Sequence, residues 1–220
     1  MSEAKRTIFF IFPGQGSQYR GMGSDLVQEF DSAKEVYSRA SEVVGYDMAA
    51  LCFEDADEKL GLTRYTQSAL VTHQMACLTA FRSLVGENEA VAPSLAAGHS
   101  LGEYAACIGS GVMSFGDALL TVAARGTAMK DVKPLDGDNG LMAAVAAGAD
   151  AVQRALKAID GYVVCANKNC HGQTVIGGAT EAVKAAATQL EADGFDVQMI
   201  PVSHAFHTRI VEPASGPLRT

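Results

Sequence analysis

The feature that most constrains this chain is the pentapeptide Gly98-His99-Ser100-Leu101-Gly102 together with what flanks it. Leu95, Ala96 and Ala97 read as the end of a short buried strand, and residues 103–108 read as a helix. Strand, sharp turn and helix is the setting in which G-x-S-x-G turns a serine into a nucleophile. The turn strains Ser100 and exposes its hydroxyl, while glycine two residues to either side lets strand and helix pass closely. Leu101 opens the helix, so its unpaired N–H and the positive end of the helix dipole would face a reacting carbonyl. With 22 glycines in 220 residues, a chance match is expected roughly once in ten such chains. The pattern therefore needs partners elsewhere.

Charge and hydropathy exclude several classes of function. The formal charge of −8 comes with no run of Lys or Arg longer than Lys5-Arg6, which argues against neutralising the phosphates of a nucleic acid. No apolar run approaches the ~18 residues of a membrane span, and residues 1–12 are too short and wrongly ended for a signal peptide, so a soluble, cytoplasmic protein is expected. The five cysteines (Cys52, Cys77, Cys107, Cys165, Cys170) lie mostly among apolar residues and read as reduced core thiols. Cys165, Cys170 and His171 lack a zinc spacing, so no metal site is expected.

Residues 7–12 are β-branched and aromatic with no polar face, as in a strand buried on both sides of a parallel sheet. The glycine loop Pro13-Gly14-Gln15-Gly16-Ser17-Gln18 follows. It lacks both the P-loop and the G-x-G-x-x-G spacing, so a nucleotide site is rejected. What remains for such a loop is close backbone approach at the strand's carboxyl end, where open α/β sheets place their sites. Ser24 is placed to cap a helix with Leu26, Val27, Phe30, Ala33, Val36, Tyr37 and Ala40 in helical period. A second helix is expected over 67–84, capped by Thr66, with Leu70, Val71, Ala76, Cys77, Ala80, Phe81 and Leu84 as its buried stripe. The acidic residues at 54–58 between them read as a solvated face. Ser114 and Asp117 form a capping box for a helix running to Met129. Arg125 stands in its last turns among Ala123, Ala124, Gly126 and Ala128, where an arginine can simply reach water and favour the helix C-terminus.

A loop around Pro134, Leu135 and Asp136 introduces a different rhythm: strand 141–147, helix 149–159, strand 162–167, strand 173–177, helix 181–193 and strand 195–201. That order, βαββαβ, is the ferredoxin-like arrangement, which closes on itself and can be inserted in a larger domain. Asn167 and Asn169 fall where its middle strands turn. Beyond it, His204 and His207 stand in Ser203-His204-Ala205-Phe206-His207-Thr208, and a serine nucleophile needs a histidine as base.

Four motifs occur in order: Gly14-Gln15-Gly16-Ser17-Gln18, Gly98 to Gly102, Arg125-Gly126, and His204-Ala205-Phe206-His207. In these the sequence resembles the malonyl-CoA:acyl carrier protein transacylase family, which includes the acyltransferase domains of polyketide synthases. The resemblance covers essentially the whole chain. It implies an α/β fold, in which an α/β-hydrolase-like large subdomain (1–136 and 202–220) with a parallel sheet and nucleophile elbow carries an inserted ferredoxin-like small subdomain (137–201). It implies Ser100 as nucleophile, His207 as general base, the backbone N–H groups of Gln15 and Leu101 as oxyanion hole, and Arg125 on the malonyl carboxylate. It also implies that Gln67, His99, His204, Phe206 and Asn167 line the substrate. The resemblance implies no cofactor: malonyl-CoA is substrate, and an acyl carrier protein brings the phosphopantetheine thiol, either to a free enzyme or within a larger synthase. Given the charge of −8, an acidic carrier would need local basic residues to dock on. His-Ala-Phe-His resembles the malonyl-selective form of the polyketide branch, in which Phe206 fills the space of an α-methyl group; Phe206 can equally be a packing residue. Family members continue past the His207 motif with a further strand and helix, so a chain stopping at Thr220 reads as a fragment or cut domain. Two other readings share the elbow. An α/β-hydrolase-type esterase or thioesterase has no use for Arg125, and an inactive carrier-docking module has no use for Ser100 and His207.

Overall fold

The computed structural model describes residues 8–86, 93–134 and 136–219; Thr7 of the expected first strand, Leu135 of the expected loop and Thr220 lie outside the described residues. The chain divides into two compact units, Met1–Thr127 and Ala128–Thr220. Helices and strands alternate, and the fold is α/β.

In the first unit, β1 (Phe9–Phe12) and β2 (Leu95–Gly98) pair in parallel, in register from Phe9 with Leu95 to Phe12 with Gly98. Parallel strands need a long crossover, and here it contains α1 (Leu26–Glu29), α2 (Asp31–Val44), α3 (Met48–Phe53) and α4 (Thr63–Val85). After β2 come α5 (Gly102–Gly109) and α6 (Phe115–Lys130). Tyr37, Met48, Leu70, Val71, Leu101 and Val122 belong to one buried core that joins these helices.

β1 is not buried on both sides. Phe12 packs with Met75, Leu78, Ala105 and Ala106 of α4 and α5, and Phe10 meets Phe81 edge to face at 5.9 Å. The residues pointing the other way, Phe9 (57%), Ile11 (76%) and Leu95 (53%), are exposed. Side chains alternate along a strand, so the helices on one face cover only every second residue. β2 is correspondingly half-exposed rather than buried.

The first expected helix is broken in two. Asp25, not Ser24, caps α1, accepting the Leu26 N–H at 2.9 Å. Phe30 then turns extended (φ −128°, ψ 109°) and α2 starts afresh with Asp31 in its first turn, where a carboxylate suits the helix dipole. α4 begins at Thr63, ahead of the expected cap. Thr66 lies inside the helix and spends its hydroxyl on the carbonyls of Leu60 (2.6 Å) and Leu62 (3.0 Å), because a threonine within a helix can bond back to the preceding turn. Of the expected stripe, Leu70, Val71, Ala76 and Ala80 are buried but Cys77, Phe81 and Leu84 are exposed. Only Cys52 among the five cysteines is buried, so the picture of core thiols holds for one residue. The acidic segment is mostly exposed, except that Asp55 accepts the N–H groups of Lys59 (2.7 Å) and Leu60 (2.9 Å) and so shapes a turn. The capping box is present: the Asp117 N–H donates to Ser114 Oγ at 3.1 Å.

The second unit holds β3 (Leu141–Val145), α7 (Ala149–Leu156), β4 (Val163–Cys170), β5 (Gln173–Gly178), α8 (Thr180–Ala192) and β6 (Val197–Ile200). This is the βαββαβ order read from the sequence, and the antiparallel sheet runs β4-β5-β3-β6. A core of Val145, Val152, Ile176, Val183 and Leu190 lies between sheet and helices. A 3-10 helix (Arg209–Ser215) follows the histidine motif. Among the described residues no helix is long and apolar enough to cross a membrane.

Candidate active site

The elbow is built as the sequence requires. Ser100 has φ 52°, a left-handed conformation that costs a non-glycine residue of the order of 1–2 kcal/mol. A Cβ placed on Gly98 would overlap the carbonyl group of Gly102, so the glycines two residues either side are there for backbone contact. Leu101 is wholly buried and is the N-cap of α5, which begins at Gly102. Its carbonyl accepts from Tyr104, while its N–H donates to no described residue.

The loop after β1 packs on this elbow. The His99 N–H donates to the Phe12 carbonyl at 2.9 Å, and a Cβ on Gly14 would lie 2.6 Å from the His99 carbonyl oxygen. Within the loop the Gly16 N–H donates to Gln18 Oε1 (2.8 Å) and the Ser17 hydroxyl to the Gly14 carbonyl (2.8 Å). The loop thus consumes its own donors, and the Gln15 N–H remains without an acceptor among the described residues. Gln15 and Leu101 thus lie on two segments, loop and elbow, that pack together through Gly14 and His99.

Arg125 reaches the same unit from α6. Gly126 makes this possible, since a Cβ there would lie 2.8 Å from the Thr63 carbonyl oxygen at the start of α4. Arg125 Nη1 donates to Gln67 Oε1 at 2.8 Å, Gln67 Nε2 donates to Gln15 Oε1 at 3.3 Å, and the Tyr104 ring lies 5.9 Å below the guanidinium. Burial pushes the Arg125 guanidinium below the ordinary arginine value, partly opposed by Tyr104 and Glu103, yet an arginine remains charged. It forms no ion pair with any described residue. Sequence reading missed Gln74, which donates to the Pro13 carbonyl at 2.6 Å and pins the loop's start. Its signal was available: Gln67 and Gln74 are two amides seven residues apart on the buried face of α4.

The remaining candidates belong to the second unit. His207 is exposed and also left-handed (φ 56°). It sits between Ala205, whose N–H donates to Asn139, and Thr208, whose hydroxyl donates to the Ala205 carbonyl at 2.6 Å while accepting from Ile210. The motif is therefore a clasped turn that carries His207. His204 is buried, with Nδ1 3.2 Å from Ser203 Oγ. Phe206 packs in two apolar groups, one with Met129, Val132 and Ala214 and one around Met142, Val175 and Ala205. Asn167 is not in a turn: it lies in β4 opposite Val175 between two register irregularities, and β4 continues to Cys170. Asn169 is likewise within β4 and donates across the hairpin to Gln173 Oε1 at 2.9 Å. The irregularities keep the strands paired past Asn167 and push the turn on to His171 and Gly172.

A left-handed serine between a parallel strand and a helix, with the Gln15 loop packed on it and Arg125 joined to that loop through Gln67, is an arrangement that acyl transfer through a serine would need. Residues 9–220 match the model of the acyl transferase domain, and the chain belongs to that family. It is 36% identical over 217 residues to the malonyl CoA-acyl carrier protein transacylase of Bacillus subtilis, covering 96% of this chain and 66% of that protein. It is 37% identical over 216 residues to a polyketide biosynthesis protein of Burkholderia thailandensis, covering 97% of this chain and 18% of that one. The crystal structure of malonyl CoA-acyl carrier protein transacylase from Clostridium perfringens superposes with a TM-score of 0.87 at 37% identity, over 97% of this chain and 66% of that one. This chain thus spans about two thirds of the length of the transacylases.

Proposed function

We propose that this protein moves a malonyl group from coenzyme A to the phosphopantetheine thiol of an acyl carrier protein, through an ester on Ser100. The observation that carries this reading is Arg125, a half-buried guanidinium held by the neutral Gln67 amide with no carboxylate partner among the described residues. A charge desolvated in this way is stabilised by a substrate carboxylate, which the fork of an arginine can bind through two parallel hydrogen bonds. In the reading, the Ser100 hydroxyl attacks the thioester carbonyl while His207 takes its proton. The Gln15 and Leu101 N–H groups hold the developing oxyanion, and the C–S bond then breaks as His207 returns a proton to the coenzyme A thiolate. The carrier's thiol enters and the steps run in reverse. The thioester consumed and the thioester formed are close in free energy, so the protein has only to align the groups and keep water out. No cofactor is required.

The parallel strand pair and the strained Ser100 support an α/β-hydrolase-like large subdomain, with 137–201 as a ferredoxin-like insertion supported by the strand order β4-β5-β3-β6. His204, Asn167 and Phe206 are retained as candidates for lining the acyl group, as is His99, whose backbone packs against Gly14. The five unpaired cysteines support a reducing compartment such as the cytoplasm. Intact mass after mixing with malonyl-CoA tests the proposal. The protein should gain one malonyl group and Ser100→Ala none, and added carrier protein should discharge it. An adduct that survives in Ser100→Ala places the nucleophile elsewhere, and discharge to water in place of the carrier makes the protein a thioesterase.

A further inference from the structure

Resting on that reading, we propose that Gln67 is a positioning residue: its side-chain amide ties the carboxylate-binding Arg125 to the loop that carries the Gln15 N–H. Gln67 touches both through opposite ends of one planar group. Oε1 accepts from Arg125 Nη1 at 2.8 Å, and Nε2 donates to Gln15 Oε1 at 3.3 Å. The chemistry of the partners fixes this orientation. A guanidinium only donates, so the amide oxygen must face it; the nitrogen must then face Gln15, which has to present its own oxygen. One arginine thus sets the direction of two amides in series. Gln67 is wholly buried in α4, so rotating it would strand buried donors and acceptors. Gln74 secures the same loop two helical turns further on, at the Pro13 carbonyl (2.6 Å). α4 therefore holds this loop at two points, the Pro13 carbonyl and the Gln15 side chain, and only the one at Gln67 is shared with the arginine. A carboxylate arriving at Arg125 acts through Gln67 on the placement of an oxyanion donor. This makes substrate recognition and the placement of the reacting carbonyl parts of one connected network.

The test compares malonyl and acetyl transfer from their coenzyme A esters to a carrier protein in the wild type, Arg125→Ala, Gln67→Glu and Gln67→Met, with thermal unfolding of each. Gln67→Glu keeps the shape but gives Arg125 a competing anion and turns an acceptor toward Gln15 Oε1. The ratio of malonyl to acetyl transfer should fall roughly 10- to 100-fold, chiefly through KM. Gln67→Met removes its hydrogen bonds to Arg125 and Gln15 and should lower kcat for acetyl as well, about tenfold, whereas Arg125→Ala leaves the bond between Gln67 and Gln15 in place and should lower acetyl kcat less. Combined with Arg125→Ala, Gln67→Met should cost malonyl transfer less than the product of the single effects. If the wild type takes no malonyl group, or Arg125→Ala leaves the ratio unchanged, the functional reading fails and this proposal with it. If those two behave as expected while folded Gln67→Glu and Gln67→Met keep the wild-type ratio and acetyl kcat, Gln67 is only a packing residue. An equal loss for both esters that follows a lowered unfolding temperature overturns the proposal in the same way.

Discussion

Ser100 keeps a left-handed backbone at a cost of the order of 1–2 kcal/mol, the conformation that a turn from strand to helix imposes on a serine between two glycines. Arg125 bears its cost at the level of charge. Its guanidinium loses hydration on burial and recovers one hydrogen bond from Gln67 and the face of Tyr104, less than an ion pair would return. Arg125→Ala is therefore expected to lower malonyl transfer by ~2–4 kcal/mol in transition-state terms and to leave acetyl transfer unchanged or raised. Steady-state kinetics on both esters check this, and an equal loss on both would make the arginine structural. The sequence alone placed Arg125 correctly near the end of its helix, but read in isolation it was a residue reaching for water. What supports the proposed binding role is its contact with the neutral Gln67 amide, 58 residues away, with no ion pair among the described residues.

At the level of elements, the site depends on two backbones passing without side chains. β2 enters the elbow and α5 leaves it with Gly98 against Gly102, so an added methyl group has nowhere to go except by parting strand from helix. Gly98→Ala should destabilise the protein by ~3 kcal/mol or more, seen as a fall in the urea midpoint or as loss of soluble protein. Gly111→Ala is the contrasting case. That residue, unlike Gly98, has a positive φ (78°) and open space around the missing Cβ, so only the conformational cost of ~1–2 kcal/mol applies. Similar costs at both sites would mean that close approach contributes nothing. Element boundaries were less legible than element types, and the reasons are local. Asp25 competes with Ser24 for the cap, an extended Phe30 divides one helical pattern into two, and Thr66 bonds back within α4 where a capping role had been expected.

For the whole molecule, the core of the first unit sets its tolerance of alkali. Burial first, with Asp55 adding to it, pushes the Cys52 thiol from 9.0 up to about 12, and burial raises the neighbouring Tyr37 hydroxyl as well. In the unfolded chain these groups give up their protons near their ordinary values, while the folded protein holds them. Stability is therefore fully present below about pH 9 and falls as pH rises toward 12, by up to ~1.4 kcal/mol per pH unit for each group. Urea midpoints between about pH 8 and pH 11 should decline, and less steeply in Cys52→Ala. Parallel slopes in the two proteins would show that the thiol is not involved. The sequence by itself determined the elbow, the order βαββαβ and the histidine motif, because glycine spacing, hydrophobic period and capping residues act within a few positions along the chain. Only the tertiary structure decided which face of β1 is covered, that Asn167 lies within a strand, and that Gln67 joins Arg125 to Gln15 across 58 and 52 residues. Those outcomes depend on which surfaces pack together, and a contact between residues so far apart leaves no periodic mark on the sequence around either of them.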